Sequence, residues 1–323
     1  MKAIQITRTG GPEVLQIAEV ESPIPSDDQV LVDVLVAGVN YIDTYYREGI
    51  YSATTPFIPG FEGVGRVLHD PIGKIASGTM VAWNTAFGSY AEQVCVARDK
   101  LVAVPNDFDL STAASMLLQG ITAHYLTHGV YELADGDSCV ITAGAGGVGL
   151  LATQFAAAAG ANVYTVVSSD EKEELSYQAG ATHVLRYGPE LANQVRELTA
   201  GKGVDVVYDG VGKDTFEKSL DMVRNRGTVC LFGAASGPVD PIDPQILNEK
   251  GSIFLTRPSV AGWTSREGEF QMRAQAVVQA VVDGDLKFRV SDSYPLEEAA
   301  HAHRDLQDRK TTGSIVLRVQ EAI

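Results

Sequence analysis

The sequence predicts an α/β chain in which a doubly wound parallel sheet is inserted into a β-rich domain. Three observations carry this. The first third holds many short strands punctuated by Gly and Pro. From about Ser111 to Val260, short apolar strands alternate with helical stretches. The last sixty or so residues return to mixed character, too few to stand alone. At 323 residues the chain is long enough for about two domains. The reading places residues 1–120 plus 263–323 in one domain and 121–262 in the insertion.

Taken in order, Val30 to Val36 (VLVDVLV) alternates apolar and polar, as a half-buried strand does. Gly60 to Val67 (GFEGVGRV) sets glycines among apolar residues, which suits a strand passing close to another backbone. Val81–Trp83 and Tyr90–Val96 read as further strands, and the whole as a small barrel or sandwich. In the insertion, strands are expected at 139–143, 163–167, 183–185, 204–208, 228–232 and 253–255. Helices are expected at 150–159, 170–179, 191–200 and 215–223. Residues 267–283 and 296–309 read as helices, and 313–319 as a closing strand.

The first strand of the insertion runs into Gly144-Ala145-Gly146-Gly147-Val148-Gly149 and then an Ala-rich helix. The spacing is GxGxxG. Gly144 permits the tight turn, Gly146 lets a pyrophosphate approach the backbone, and Gly149 lets helix pack on strand. The helix dipole and first-turn amides then favour the phosphates of a dinucleotide. The second strand ends at Ser168 instead of the Asp or Glu that accepts the ribose hydroxyls of NAD. Ser168 removes a repulsion against a 2′-phosphate, and Lys172 lies one helical turn on. The same residues also read as a capping box, Ser168-x-x-Glu171, with Lys172 a solvated helix residue and Asp170 available to the ribose.

A net charge of −16 repels nucleic-acid phosphates and anionic lipid. Hydrophobic content of 45% and charged content of 20% exclude a disordered chain. Cys95, Cys139 and Cys230 make no disulfide framework and no CxxC pair, which fits a reducing cytoplasm. The start lacks the apolar core of a signal peptide, and no run of 18 apolar residues predicts a membrane span. No metal site is expected. Three scattered cysteines cannot build a structural zinc lobe, and His301 and His303, at i and i+2, do not share a helix face. They read as surface or packing histidines.

Taken together, the chain resembles the zinc-independent quinone oxidoreductases, the zeta-crystallin-like family of the medium-chain dehydrogenase/reductase superfamily. The motifs that carry this are Gly38-Val39-Asn40-Tyr41-Ile42-Asp43-Thr44-Tyr45, Gly49-Ile50-Tyr51, Pro59-Gly60-Phe61-Glu62-Gly63-Val64-Gly65 and Gln119-Gly120-Ile121-Thr122-Ala123. The Ala143–Gly149 loop, Tyr208-Asp209-Gly210-Val211-Gly212, Leu231-Phe232-Gly233 and Thr256-Arg257-Pro258-Ser259 follow in the same order. Zinc-dependent relatives carry Cys where this chain has Asn40 and His where it has Phe61.

The resemblance implies a GroES-like catalytic domain around a Rossmann insertion, NADP(H) as cofactor, and a homodimer joined edge to edge near Gly251–Leu255. It implies that Asn40 bonds the nicotinamide ribose or a nearby group, and that Tyr45 and Tyr51 line the substrate pocket. Thr122 and Tyr125 would contact cofactor phosphates or ribose, with Gly147 and Val148 at the pyrophosphate. Ser168, Lys172, Tyr187 and Arg309 would surround the 2′-phosphate. Phe232, Gly233 and Ser236 would seat the nicotinamide end. The activity expected is reduction of a quinone by NADPH. The alternatives are reduction of an activated C=C bond in an enone or enoyl thioester, and a cofactor-binding protein without catalysis.

Overall fold

The computed structural model describes residues 1–320. The expected domain 263–323 therefore ends in three residues outside the described ones. The chain divides into two compact units, Met1–Leu118 with Phe270–Ile323, and Gln119–Glu269.

The first unit opens with the hairpin β1 (Lys2–Gln5) and β2 (Gln16–Glu19). Its long strand β3 (Gln29–Val39) leads into helix α1 (Tyr41–Glu48). β4 (Gly63–His69), β5 (Met80–Trp83), β6 (Gln93–Ala97), β7 (Val102–Ala103) and the one-turn α2 (Leu110–Ala113) follow. In β3, Val30, Val32 and Val34 are buried, as the alternation requires, and the strand is buried throughout beyond Leu35. It is long enough to pair with β4 on one side and with β6 and the final strand on the other. Register shifts at Leu31/Val32 and Val34/Val36 bend it, as bulges do. β4 begins at Gly63, not Gly60. Its glycines serve close approach: a Cβ on Gly65 would lie 2.0 Å from the Asp33 carbonyl oxygen across the ladder. The core gathers Ile4, Ile6, Val32, Trp83, Tyr90 and Ile315.

Helix α3 (Met116–Tyr125), continued by a π-helical turn at Leu126–Val130, passes at Gln119 from the first unit into the second. There β8 (Ser138–Thr142), α4 (Gly147–Ala158), β9 (Asn162–Val167), α5 (Asp170–Gln178), β10 (His183–Arg186), α6 (Leu191–Leu198), β11 (Val204–Asp209), α7 (Phe216–Met222), β12 (Val223–Leu231), α8 (Gln245–Glu249) and β13 (Phe254–Thr256) alternate. The strands form an all-parallel sheet in the order β10-β9-β8-β11-β12-β13. Helices on both faces explain strands such as CVIT and VDVVY, apolar on nearly every residue. Val140, Val166, Val207, Val229, Leu220 and Val195 fill this core, each contributing about 2 kcal/mol on burial. β12 starts at Val223, five residues before the expected strand, so α7 and β12 meet without a loop.

The chain then adds α9 (Glu269–Val282), β14 (Val290–Pro295), α10 (Ala299–Gln307) and β15 (Ser314–Arg318). β15 pairs antiparallel with β3 and parallel with β14. The tail thereby completes the sheet of the first unit.

Candidate active site

The sheet order reverses between β8 and β11, and the carboxyl ends of these strands are the topological switch point where open α/β sheets bind ligands. The GxGxxG turn lies there. Gly146 is the N-cap of α4 and, as a glycine, makes no side-chain cap bond. The first-turn amides of Gly147, Val148 and Gly149 are therefore the helix's own donors for an anion. The turn is tight enough to exclude side chains. A Cβ on Gly149 would lie 2.2 Å from the Ala143 carbonyl oxygen, one on Gly144 2.6 Å from Thr165 Cβ, and one on Gly146 3.2 Å from the Ala143 oxygen. A Cβ on Gly147 would lie 1.9 Å from Gln119 Oε1. This cradle fits a pyrophosphate.

Asp209 braces the switch point, a role that sequence reasoning missed. Fully buried at the end of β11, it accepts from Thr142 Oγ1 (3.1 Å), the Val211 and Gly212 amides (2.9 and 3.1 Å), Thr215 Oγ1 (2.8 Å) and Ser219 Oγ (2.7 Å). Thr142 in turn accepts from the Gly210 amide (2.9 Å). These bonds tie the ends of β8 and β11 together and satisfy a buried carboxylate. The signal was an Asp followed by Gly-Val-Gly at a strand end. Phe232 and Gly233 extend the brace, their amides donating to the Asp209 carbonyl (2.9 and 3.2 Å). The Ser236 hydroxyl is a loop staple, donating to the Val211 carbonyl (2.8 Å) and accepting from the Asp214 amide (3.0 Å).

At the tip of β9, Ser168 is exposed and α5 is capped by Ser169, whose hydroxyl accepts from the Lys172 amide (3.4 Å). The expected capping box Ser168-x-x-Glu171 does not form: β9 ends at Val167, Ser168 is the link, and Lys172 stands at the third helical position where the box needs Glu or Gln, so Ser169 is a simple N-cap. Tyr187 sits just past β10, and its hydroxyl accepts from the Ala143 amide (2.7 Å), so it braces the glycine turn. Thr122 and Tyr125 lie on α3. Tyr125 is 2% exposed and stacks on Trp263 (5.8 Å, 8°), which makes it part of the interior wall. Arg309 belongs to the first unit, exposed just past α10 with φ of 59°. The structure thus gathers Ser168, Lys172 and Tyr187 in one unit and carries Arg309 in the other.

In the first unit, Asn40 is the N-cap of α1. Its backbone amide donates to Asp43 Oδ2 (2.8 Å), and its side-chain Nδ2 donates to Glu62 Oε2 (2.8 Å). Glu62 also accepts from the Leu118 amide (2.7 Å). Burial pushes the Glu62 carboxyl up to about 8 and Asp43 up to about 7, against the opposing pull of these hydrogen bonds. Asp43 accepts from the Tyr90 hydroxyl (3.1 Å), which touches His303 Nε2 (3.1 Å), whose Nδ1 faces Arg47 Nη1 (3.1 Å). A guanidinium only donates, so Nδ1 accepts and Nε2 carries the proton. The donors therefore run one way, Arg47 to His303 to Tyr90 to Asp43. Burial, and then the Arg47 charge, hold His303 down to about 3. His303 is thus a packing histidine, and His301 a surface one paired with Asp305 (3.1 Å).

Tyr45 and Tyr51 meet edge to face at 5.5 Å. They open a wider aromatic cluster that sequence reasoning missed: Tyr46 against Tyr51 (5.4 Å), Phe61 (5.0 Å) and Phe87 (5.3 Å). Phe61 meets Phe87 at 4.9 Å. The signal was the density of Tyr in 41–51 with Phe61 beside Glu62. Among the described residues, no group of three or more His, Cys, Asp or Glu could hold a metal ion.

Comparison with known proteins identifies the family and the fold. The family model described as "Alcohol dehydrogenase GroES-like domain" matches residues 26–106, and "Zinc-binding dehydrogenase" matches 147–282. The chain is 41% identical over 323 residues to the quinone oxidoreductase of Pseudomonas aeruginosa, covering 98% of this chain and 99% of that protein. It is 38% identical to the 2-haloacrylate reductase of a Burkholderia species, covering 98% and 99%. Its structure superposes with a TM-score of 0.95 on Escherichia coli quinone oxidoreductase complexed with NADPH, 35% identical, covering 99% and 100%. A mycobacterial protein complexed with NADPH gives the same TM-score at 45% identity, also covering 99% and 100%. The fold is a GroES-like domain with a Rossmann-type parallel sheet, and the chain belongs to the quinone oxidoreductase family of the medium-chain dehydrogenase/reductase superfamily.

Proposed function

We propose that this chain is an NADPH-dependent quinone oxidoreductase that works without a metal ion. The observation that carries the reading is the first turn of α4, with glycine at its N-cap, set at the switch point in a cradle closed to side chains. Bound NADPH supplies a hydride. The amides of Gly147, Val148 and Gly149 hold the pyrophosphate, with Gly144 and Gly146 shaping the turn. Ser168, Lys172, Tyr187 and Arg309 take the 2′-phosphate. Thr122, Tyr125, Phe232, Gly233 and Ser236 orient the rest of the cofactor.

Asn40, fixed by Asp43 and Glu62, orients the nicotinamide ribose or a nearby group. The hydroxyls of Tyr45 and Tyr51 donate to the quinone oxygen as negative charge develops there. That oxygen then takes a proton from solvent. Metal-free chemistry is supported by the donor set: Asn40 and Phe61 offer neither thiolate nor imidazole, and the Asn40 amide already donates to Glu62. The three cysteines are unpaired and no helix among the described residues is long and apolar enough to cross a membrane. Both facts support a cytoplasmic location. The edge position of β13 supports a homodimer.

The relative named for 2-haloacrylate reduction favours a second reading, in which the acceptor is an activated C=C bond. The test follows NADPH oxidation after chelator treatment, with a benzoquinone, a naphthoquinone, an enone and an enoyl thioester. Quinones should be reduced fastest and the chelator should change nothing. Faster turnover of the enone or thioester replaces the acceptor. Activity lost on chelation and restored by zinc ends the metal-free mechanism.

A further inference from the structure

The N-terminus of α5 presents a difficulty for a phosphorylated cofactor. Ser168 has removed the acid from the tip of β9, but Asp170, Glu171 and Glu173 crowd the next turn. Acids there suit the helix dipole. The same acids repel a 2′-phosphate, and Lys172 offsets only one of them.

The structure shows where compensation arises. Arg186 ends β10 and pairs in register with Val167, the last residue of β9. Its Nη2 donates to Asp170 Oδ1 (2.6 Å) and to Glu173 Oε2, while Nη1 donates to the Ser169 carbonyl. One guanidinium thereby holds two of the three carboxylates and the N-cap carbonyl of α5. The planar fork suits this three-point grip, and a lysine ammonium would not reproduce it. The next residue, Tyr187, braces the glycine turn through Ala143. Two consecutive residues of one strand end thus set both corners of the expected adenosine site.

We propose that Arg186 is a specificity-determining residue: by holding Asp170 and Glu173 it lets the tip of β9 admit a 2′-phosphate, and so favours NADPH over NADH. The inference rests on the reading of this chain as an NADPH-binding protein. It assigns Arg186 a role through the two acids, without contact to the cofactor. Released from Arg186, Asp170 stands two residues past the strand tip, where a carboxylate accepts ribose hydroxyls and repels phosphate.

The experiment measures dissociation constants of the full-length protein for NADPH and NADH by titration calorimetry. Arg186→Gln should weaken NADPH about tenfold relative to NADH near 50 mM salt, and the effect should shrink near 500 mM as screening sets in. The triple variant Asp170→Asn, Glu173→Gln, Arg186→Gln removes the acids with their partner and should restore the preference. That restoration is a readout that a merely structural role for Arg186 would not give. An unchanged preference in Arg186→Gln, or a triple variant that stays impaired, overturns the proposal. Lys172→Ala is the separate control: it should weaken NADPH more than NADH. If it does while Arg186→Gln leaves the preference unmoved, the inference alone fails. If wild type shows no preference for NADPH, the cofactor reading fails first and the inference with it.

Discussion

At the scale of single residues, the glycines of the phosphate turn differ in what a methyl group would meet. Gly149 abuts the Ala143 carbonyl, a backbone atom fixed by the turn, whereas Gly147 abuts the movable end of the Gln119 side chain. Gly149→Ala should therefore weaken NADPH binding at least tenfold and lower stability by about 1–3 kcal/mol. Gly147→Ala should cost less on both counts. Cofactor titration and urea unfolding of both variants check this, and equal effects would mean that the turn relaxes more freely than its geometry implies. The same scale explains why the roles of Asn40, Glu62 and Asp43 are joined. Asn40 donates from its backbone to one carboxylate and from its side chain to the other. Its amide is thereby fixed on both sides.

At the scale of elements, β13 is the last strand of the parallel sheet, paired only with β12 among the described residues. Phe254 on it is 62% exposed. An uncovered edge with a large apolar side chain is a template for a second copy, and a twofold contact would pair like with like. Phe254→Lys should convert a dimer into a monomer, read by light scattering on a sizing column, with NADPH binding retained. A wild-type monomer, or a variant that remains dimeric, removes this edge as the interface. The α5 corner belongs to this scale too. Its helix start was legible as a cap followed by acids, but Arg186 enters from a strand sixteen residues further on.

At the scale of the molecule, the buried polar chain makes stability depend on pH. The Glu62 carboxyl is held up from 4.5 to about 8 by burial. A raised folded value means that its contribution is complete below 4.5 and is lost as pH rises through about 8. His303 acts in the other sense: held down from 6.5 to about 3, it contributes above 6.5 and loses that contribution as pH falls toward 3. Glu62→Gln isolates the first effect. Between pH 4.5 and 8, wild type should lose stability relative to this variant, measured as the difference in Tm across pH. A difference that stays constant would mean that Glu62 is ionised in the folded protein throughout.

The sequence by itself determined the six strands of the insertion and the helices α4 to α7 between them, because short apolar strands alternate there with helical stretches, but it did not show α3 or α8. It also determined the glycine turn between β8 and α4, whose three glycines stand in a strand–turn–helix context. It placed Tyr45 and Tyr51 as a pair, but only through resemblance. Only the tertiary structure decided that Asp209 ties β8 to β11, that Arg186 holds Asp170 and Glu173, and that Arg47, His303, Tyr90 and Asp43 form one directed chain. Each of these joins residues far apart in sequence through strand register or through packing of the tail on the first strands. A hydrogen-bonding side chain looks the same in sequence whether its partner is water or a buried carboxylate, so its role is fixed only when the fold closes around it.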